Sequence, residues 1–161
     1  MRSDLVIDGF AAGTLRVAGS DATDSVIKLF DNLKRNDVNA ILISGSVLSL
    51  YNVLDIDAIC AELKLPVLAI SFKQSTSDLA ANIRNRFPKK DADRKIRLLE
   101  KLGTTEKIKL KTGYEVFVRT AGIKENESTK LLDKFTLQGA IPEPIRVARL
   151  LAKTIAPFRA K

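Results

Sequence analysis

Five carboxylates stand where phosphodiester chemistry would need them: Asp21, Asp24, Asp55, Asp57 and Glu143. Each falls near the end of a predicted strand or the start of a predicted helix. Two or three such groups sharing a divalent ion would activate water for phosphodiester cleavage. Helix capping asks for the same residue types in the same places, because an aspartate ahead of a helix accepts the free amide protons of its first turn. For Asp21, Asp24 and Asp55 capping alone accounts for the position. The cationic counterpart is Arg146, Arg149 and Lys153, spaced three and four residues apart and so forming one helical stripe behind Pro144. Guanidinium forks beside the free amides of a helix start suit a phosphate, although a packed helix with a solvated basic face has the same spacing. Tyr51 and Asn52 offer a ring to stack and an amide to hydrogen-bond a base drawn out of its helix, or else an ordinary loop. Lys73 follows a predicted strand. The basic run Arg84, Arg86, Lys89, Lys90, Arg94 and Lys95 would track a backbone, and is also how two exposed helix ends look.

Other chemistries are excluded. The chain has no histidine, which removes Ser-His-Asp triads, Cys-His pairs and imidazole metal sites. Any metal would need oxygen ligands, which favours magnesium or manganese. A single cysteine, Cys60, allows no disulfide within the chain and fits a reducing cytoplasm. No signal-peptide pattern opens the sequence and no apolar run approaches a membrane span, so a cytoplasmic protein with no membrane partner is expected. The formal net charge of +8 favours an anionic partner, with nucleic acid the commonest.

The elements that must position these groups follow from hydrophobic period. Of the 161 residues, 45% are hydrophobic and 29% charged, which describes one globular domain spanning 1–161. Asp8-Gly9 reads as a turn and 10–17 as a strand weakened by Gly13. A helix starts near Ser20 or Asp21, with Val26, Ile27, Phe30 and Leu33 inward. Residues 38–43 form a buried strand that breaks at Ser44-Gly45-Ser46. The polar loop around Tyr51-Asn52 leads to Asp55 and a helix carrying Ile56, Ile59, Cys60 and Leu63. Residues 67–72 are a second buried strand, and 73–77 a loop and cap. Two helices follow, the first stopped by Pro88 and the second capped by Asp91. Residues 107–110 and 115–118 alternate around Lys111-Thr112-Gly113-Tyr114 as a β-hairpin. A helix over 123–135 and a last one from Ile145 to about Ala156 close the chain, the latter burying Ile145, Ala148, Leu151 and Ile155. Strands alternating with helices give an α/β class with a mixed sheet. In open sheets of this kind ligands sit outside the carboxyl ends of the strands, which makes 44–57 the expected lining of any site.

Three segments, taken together, resemble one family: Gly19-x-Asp21-Ala22-Thr23, Tyr51-Asn52-Val53-x-Asp55-Ile56, and Ile141-Pro142-Glu143-Pro144-x-Arg146-Val147-Ala148-x-Leu150. In this order and spacing they resemble the archaeal deoxyuridine endonuclease (endonuclease dU) family, first known as domain of unknown function ninety-nine and distantly related to endonuclease V. The resemblance covers nearly the whole chain. It implies a ribonuclease H-like, three-layer mixed sheet flanked by helices, DNA with altered bases as the substrate class, and a divalent metal held by carboxylates. The chain departs from the family at chemically decisive places. The family's first two strands, the first ending in paired aspartates, have no counterpart. Ala18 stands where an aspartate is usual, Ser44-Gly45 where Asp-Gly is usual, and Arg149 where the last helix carries histidine. The resemblance further implies a late start, because the family's first strand lies beside the one ending here at Ser44. A longer gene upstream of Met1, a rearranged sheet, or another chain completing that edge, including a homo-oligomeric partner, is expected.

The resulting expectation is a nucleic-acid-binding relative of the deoxyuridine endonucleases, with phosphodiester cleavage impaired or lost and DNA held by Tyr51, Asn52, Lys73, Arg146 and Arg149. The alternative is an active divalent-metal-dependent endonuclease on base-altered DNA. Its catalytic residues would be Asp21 and Glu143, with magnesium or manganese weakly held by Asp21, Asp55 and Glu143. A second alternative is a binder of phosphate-bearing small molecules, using the loop after Ser44 and the Arg146 helix.

Overall fold

The structure, a computed structural model, describes residues 1–74 and 78–159, the last three of these as backbone only. In chain order the elements are α1 (Ala22–Leu33), β1 (Ile41–Ser44), β2 (Val47–Leu48), β3 (Asn52–Val53), α2 (Ile56–Leu63), β4 (Val67–Ser71), α3 (Leu79–Arg86), α4 (Lys89–Lys101), β5 (Glu106–Lys109), β6 (Glu115–Ala121), α5 (Glu125–Phe135) and α6 (Glu143–Arg159). The main sheet has the order β1-β4-β6-β5, with β1 parallel to β4 and the other two pairs antiparallel. β2 and β3 form a separate small hairpin immediately after β1.

Alternation along the strands divides the core in two. Ile41, Ile43, Val67, Ala69 and Ala121 face α1 and α2, where they meet Ala22, Val26, Ile56 and Ile59. Leu42, Leu68, Ile70, Val116 and Val118 face the other way, against Leu132 of α5 and Ile145 of α6. Helices on both faces of a mixed sheet make the three-layer α/β architecture that the sequence pattern implied. A third cluster, Ile83, Ala92 and Ile96 with Phe87 and Tyr51, joins the α3–α4 pair to the β2–β3 hairpin.

Several local expectations are corrected. Residues 10–17 do not form a strand. They run beside α1 instead, with Gly13 close enough that a side chain there would touch Leu29, and Arg35 holds the Asp8 carbonyl at 3.0 Å and its carboxylate at 2.9 Å. A strand needs a ladder, and the packing of this segment along a helix supplies none. Val6, Ile7, Phe10 and Val17 consequently stay exposed. The first turn lies at Ser3-Asp4, not at Asp8-Gly9. Pro88, not Asp91, precedes α4 directly, leaving Asp91 in the first turn where its charge still suits the helix start. α5 begins at Glu125, two residues later than expected. α6 begins at Glu143, two residues earlier, and Ala148 lies exposed on it. Within the expected loop 73–77, positions 75–77 lie outside the described residues.

One glycine is required by the packing of β6 onto α2. Gly122 has φ +72°, and a methyl group there would sit 2.5 Å from Cys60 Sγ and 3.6 Å from Pro66 Cα. Left-handed backbone and steric overlap act in the same direction. Gly122→Ala is expected to lower the unfolding free energy by about 1–3 kcal/mol, read as a shifted denaturant midpoint at unchanged m-value.

Candidate nucleic-acid interface

The motif residues meet one another. Asn52 in β3 is fully buried. Its carbonyl oxygen accepts the Ala22 amide at 3.0 Å, and its amide donates to Asp21 Oδ1 at 2.7 Å and to the Arg16 carbonyl at 3.1 Å. Thr23 Oγ1 accepts the Asp55 amide at 3.0 Å, so the starts of α1 and α2 are laced together. The Asn52 amide, helped by the Arg16 amide and charge against the opposing effect of burial, holds the Asp21 carboxyl below its usual range. Asn52 is a clamp between the first two motifs, with no surface for a base to meet.

A second connector lies beneath it. Lys95 on α4 is 2% exposed. Its ammonium donates to the carbonyls of Ala18 at 3.2 Å and Tyr51 at 2.9 Å, and also to that of Gly19, while sitting 4.7 Å from the centre of the Phe87 ring. Burial lowers its pKa, partly offset by Asp91 and Asp21. These bonds help hold three successive non-glycine residues, Ser49, Leu50 and Tyr51, in left-handed backbone at φ 34°, 58° and 64°. Such residues cost about 1–3 kcal/mol each and persist only when the surroundings over-determine them. Tyr51 itself is half-buried, with its ring edge-on to Phe87 at 6.1 Å.

The carboxyl end of β1 is cationic. Ser44 lies on the α6 face of the sheet, opposite Ile70 in the register, and its Oγ accepts from Arg149 at 2.7 Å. The Arg149 guanidinium stacks over Phe72, 4.7 Å from the ring centre. Two residues on, the buried Ser46 Oγ accepts from Arg119 at 3.0 Å. Arg119 pairs with Ala69 and so approaches from the α1–α2 face, where burial lowers its pKa. Between the serines Gly45 turns the chain at φ +84° while its amide stays bonded to the Ile70 carbonyl. Lys73 lies exposed just beyond β4.

The remaining expected site residues are committed separately. Glu143 accepts from Arg146 Nε at 3.2 Å, and the same guanidinium caps the carbonyls of Gln138 at 3.1 Å and Ile141 at 3.3 Å. The Pro-Glu-Pro-x-Arg segment therefore closes on itself as the entry to α6. Asp55 caps α2 through the Ala58 amide at 3.0 Å and pairs with Lys101 at 2.7 Å. Burial would raise the Asp55 carboxyl, but the Lys101 ammonium and the cap amides outweigh it and hold it below its usual range. Among the described residues no three Asp, Glu or Cys side chains gather to hold an ion. As placed, Asp21, Asp55 and Glu143 do not fit a divalent-metal centre, which needs such ligands to converge.

A three-layer α/β domain with a cationic strand end is the class these features define. More specifically, the chain belongs to the endonuclease dU family, whose match runs over residues 1–156. The UPF0215 protein of Pyrobaculum aerophilum is 30% identical over 165 residues, covering 98% of this chain and 87% of its own length. That of Thermococcus kodakarensis is 28% identical, covering 100% of this chain and 80% of its own length. Among solved structures, a protein of unknown function from Archaeoglobus fulgidus superposes with a TM-score of 0.73 at 25% identity, over 88% of this chain and 78% of that one. Endonuclease V of Ciona intestinalis, solved with inosine-containing DNA, gives 0.48 at 13% identity, over 91% of this chain and 69% of its own.

Sequence reasoning missed two connectors that carried a readable signal. Lys95 lies in the α4 pattern Ala92, Lys95, Ile96, Leu99, an inward spacing in which a cation is out of place. It was grouped instead with the exposed basic run. Arg119 shares a strand face with Ala121, a core residue, which likewise marks it as turned inward.

Lys95→Met is expected to cost about 3 kcal/mol or more, because it strips a charged donor from three carbonyls at once; chemical denaturation measures it, and a change below about 1 kcal/mol would contradict the role given to Lys95. The acid limb of stability tests Asp21 and Asp55. Both folded-state pKa values are depressed. Their stabilisation is therefore fully present above the unfolded value of about 4 and is lost as pH falls through the lower folded values. Thermal unfolding followed from neutral pH down to about 2 should show this loss, and Asp55→Asn should flatten it.

Proposed function

We propose that this chain is a nucleic-acid-binding member of the endonuclease dU family in which phosphodiester cleavage is impaired or lost, with DNA as the partner. The observation that supports it best is the Arg149–Ser44 contact at the carboxyl end of β1. Strand ends of this kind are where α/β sheets bind ligands. A metal-dependent nuclease needs negative ligands there to balance a divalent ion, whereas a neutral hydroxyl under a guanidinium favours an anion directly. Arg149 and Lys73 supply backbone contacts, and the net charge of +8 draws DNA from a distance. Arg146 acts one step removed, holding the start of α6, and Asn52 likewise, tying β3 to the start of α1.

Fluorescence anisotropy on single- and double-stranded DNA, with and without deoxyuridine, tests the binding. Affinity should fall linearly in log–log form with salt, by about 0.9 log units per phosphate contact on duplex DNA, and should persist in chelator. Single-turnover cleavage with manganese and protein in excess should give no product from deoxyuridine-containing DNA. Metal-dependent product, abolished by chelator and by Asp21→Asn, would overturn the loss of cleavage and favour an active endonuclease. Absence of DNA binding at low salt would overturn the reading itself.

A further inference from the structure

We infer that the turn Ser44-Gly45-Ser46 is a two-armed oxyanion site that takes one phosphodiester or phosphate group directly, without a divalent ion, between Arg149 and Arg119. The inference rests on the nucleic-acid-binding reading for its biological ligand, but its chemistry stands on the turn alone. Two guanidinium groups reach serine hydroxyls only two residues apart, and they come from opposite faces of the sheet. Among the described residues neither guanidinium meets a carboxylate within 4.0 Å, although Arg2, Arg35 and Arg146 each do. A half-buried guanidinium without a counter-ion is unusual, since burial of charge is normally offset by pairing. Arg119 spends one further donor on the Gly103 carbonyl at 3.3 Å, and Arg149 is braced flat against Phe72. Each fork therefore keeps donors to spare in a fixed orientation.

The backbone adds to the site. Ile41 and Gly45 donate their amides to Pro66 and Ile70 across the parallel ladder. By the alternation of that ladder the Ser44 amide points away from β4, toward the open edge of the sheet. An oxyanion seated at the turn would meet two cationic forks and two hydroxyl groups. A carboxylate-bound metal ion in the same place would instead lie against two positive charges.

Inorganic phosphate in chelator is the direct probe, read in the arginine Nε–H region of a proton–nitrogen NMR spectrum of the whole chain. The Arg149 and Arg119 signals should move together and saturably, with Arg146 stationary as the internal control because its fork is already committed. If both stay still, if only one moves, or if movement requires magnesium, the two-armed site is wrong. A second arm uses duplex DNA. Arg149→Gln and Arg119→Gln, each checked for an unchanged melting profile, should each lower the salt slope in chelator, and together by about one unit, because the two forks share one phosphate. Unchanged slopes in both variants would overturn the site while leaving DNA binding intact. Paired movement with phosphate, in a protein that does not bind DNA, would support the anion site and remove the nucleic-acid reading.

Discussion

Three backbone carbonyls, from Ala18, Gly19 and Tyr51, converge on the ammonium group of Lys95. Carbonyls that approach one another repel, and left-handed backbone at Ser49 to Tyr51 adds conformational cost. One buried cation offsets both. It fixes the loop that leads into α1 and the hairpin that follows β1 in a single arrangement, anchored from a third element, α4. The Asn52 network is built on that frame: only when Arg16, Asp21 and Ala22 are held against β3 can one side-chain amide satisfy all of them. The turn at Ser44 to Ser46 is in turn the first segment of the β2–β3 hairpin, with Ser46 bonded through its carbonyl to Leu54. The cationic strand end thus inherits its geometry from a lysine far from it in sequence.

The segments that identify the family do structural work in this chain. Asp21, Thr23, Asn52 and Asp55 interlock two helix starts, and Glu143 with Arg146 closes the entry to α6. Serine at 44 and arginine at 149 are matched to each other, hydroxyl to guanidinium. A neutral hydroxyl beside a guanidinium suits an anion better than a divalent ion.

Much of this was legible in advance, for definable reasons. The runs at 41–44 and 67–71, the hairpin of β5 and β6, and the helix start at Asp55 are set by local period and capping, which sequence displays directly. The segment 10–17 was misread because alternation marks a possible strand but says nothing of whether a neighbour exists to complete its ladder. The candidate site divides the same way. Arg149 was readable from its helical stripe. Asn52 was not, because its burial depends on a tertiary contact with Ala22, thirty positions away. Arg119 and Ser46 meet across 73 positions, a pairing that spacing cannot announce.

Whether the carboxyl end of β1 receives a phosphate or a metal ion decides the function proposed for the site. Crystals of the protein with a short DNA oligonucleotide, grown with manganese and measured at the manganese absorption edge, test it most directly. The expected result is a backbone phosphate against Arg149 and Arg119 at the Ser44–Ser46 turn, with no anomalous peak there. A manganese peak at that strand end, ligated by Asp21 or Glu143 after rearrangement of the Asn52 and Arg146 contacts, would contradict it.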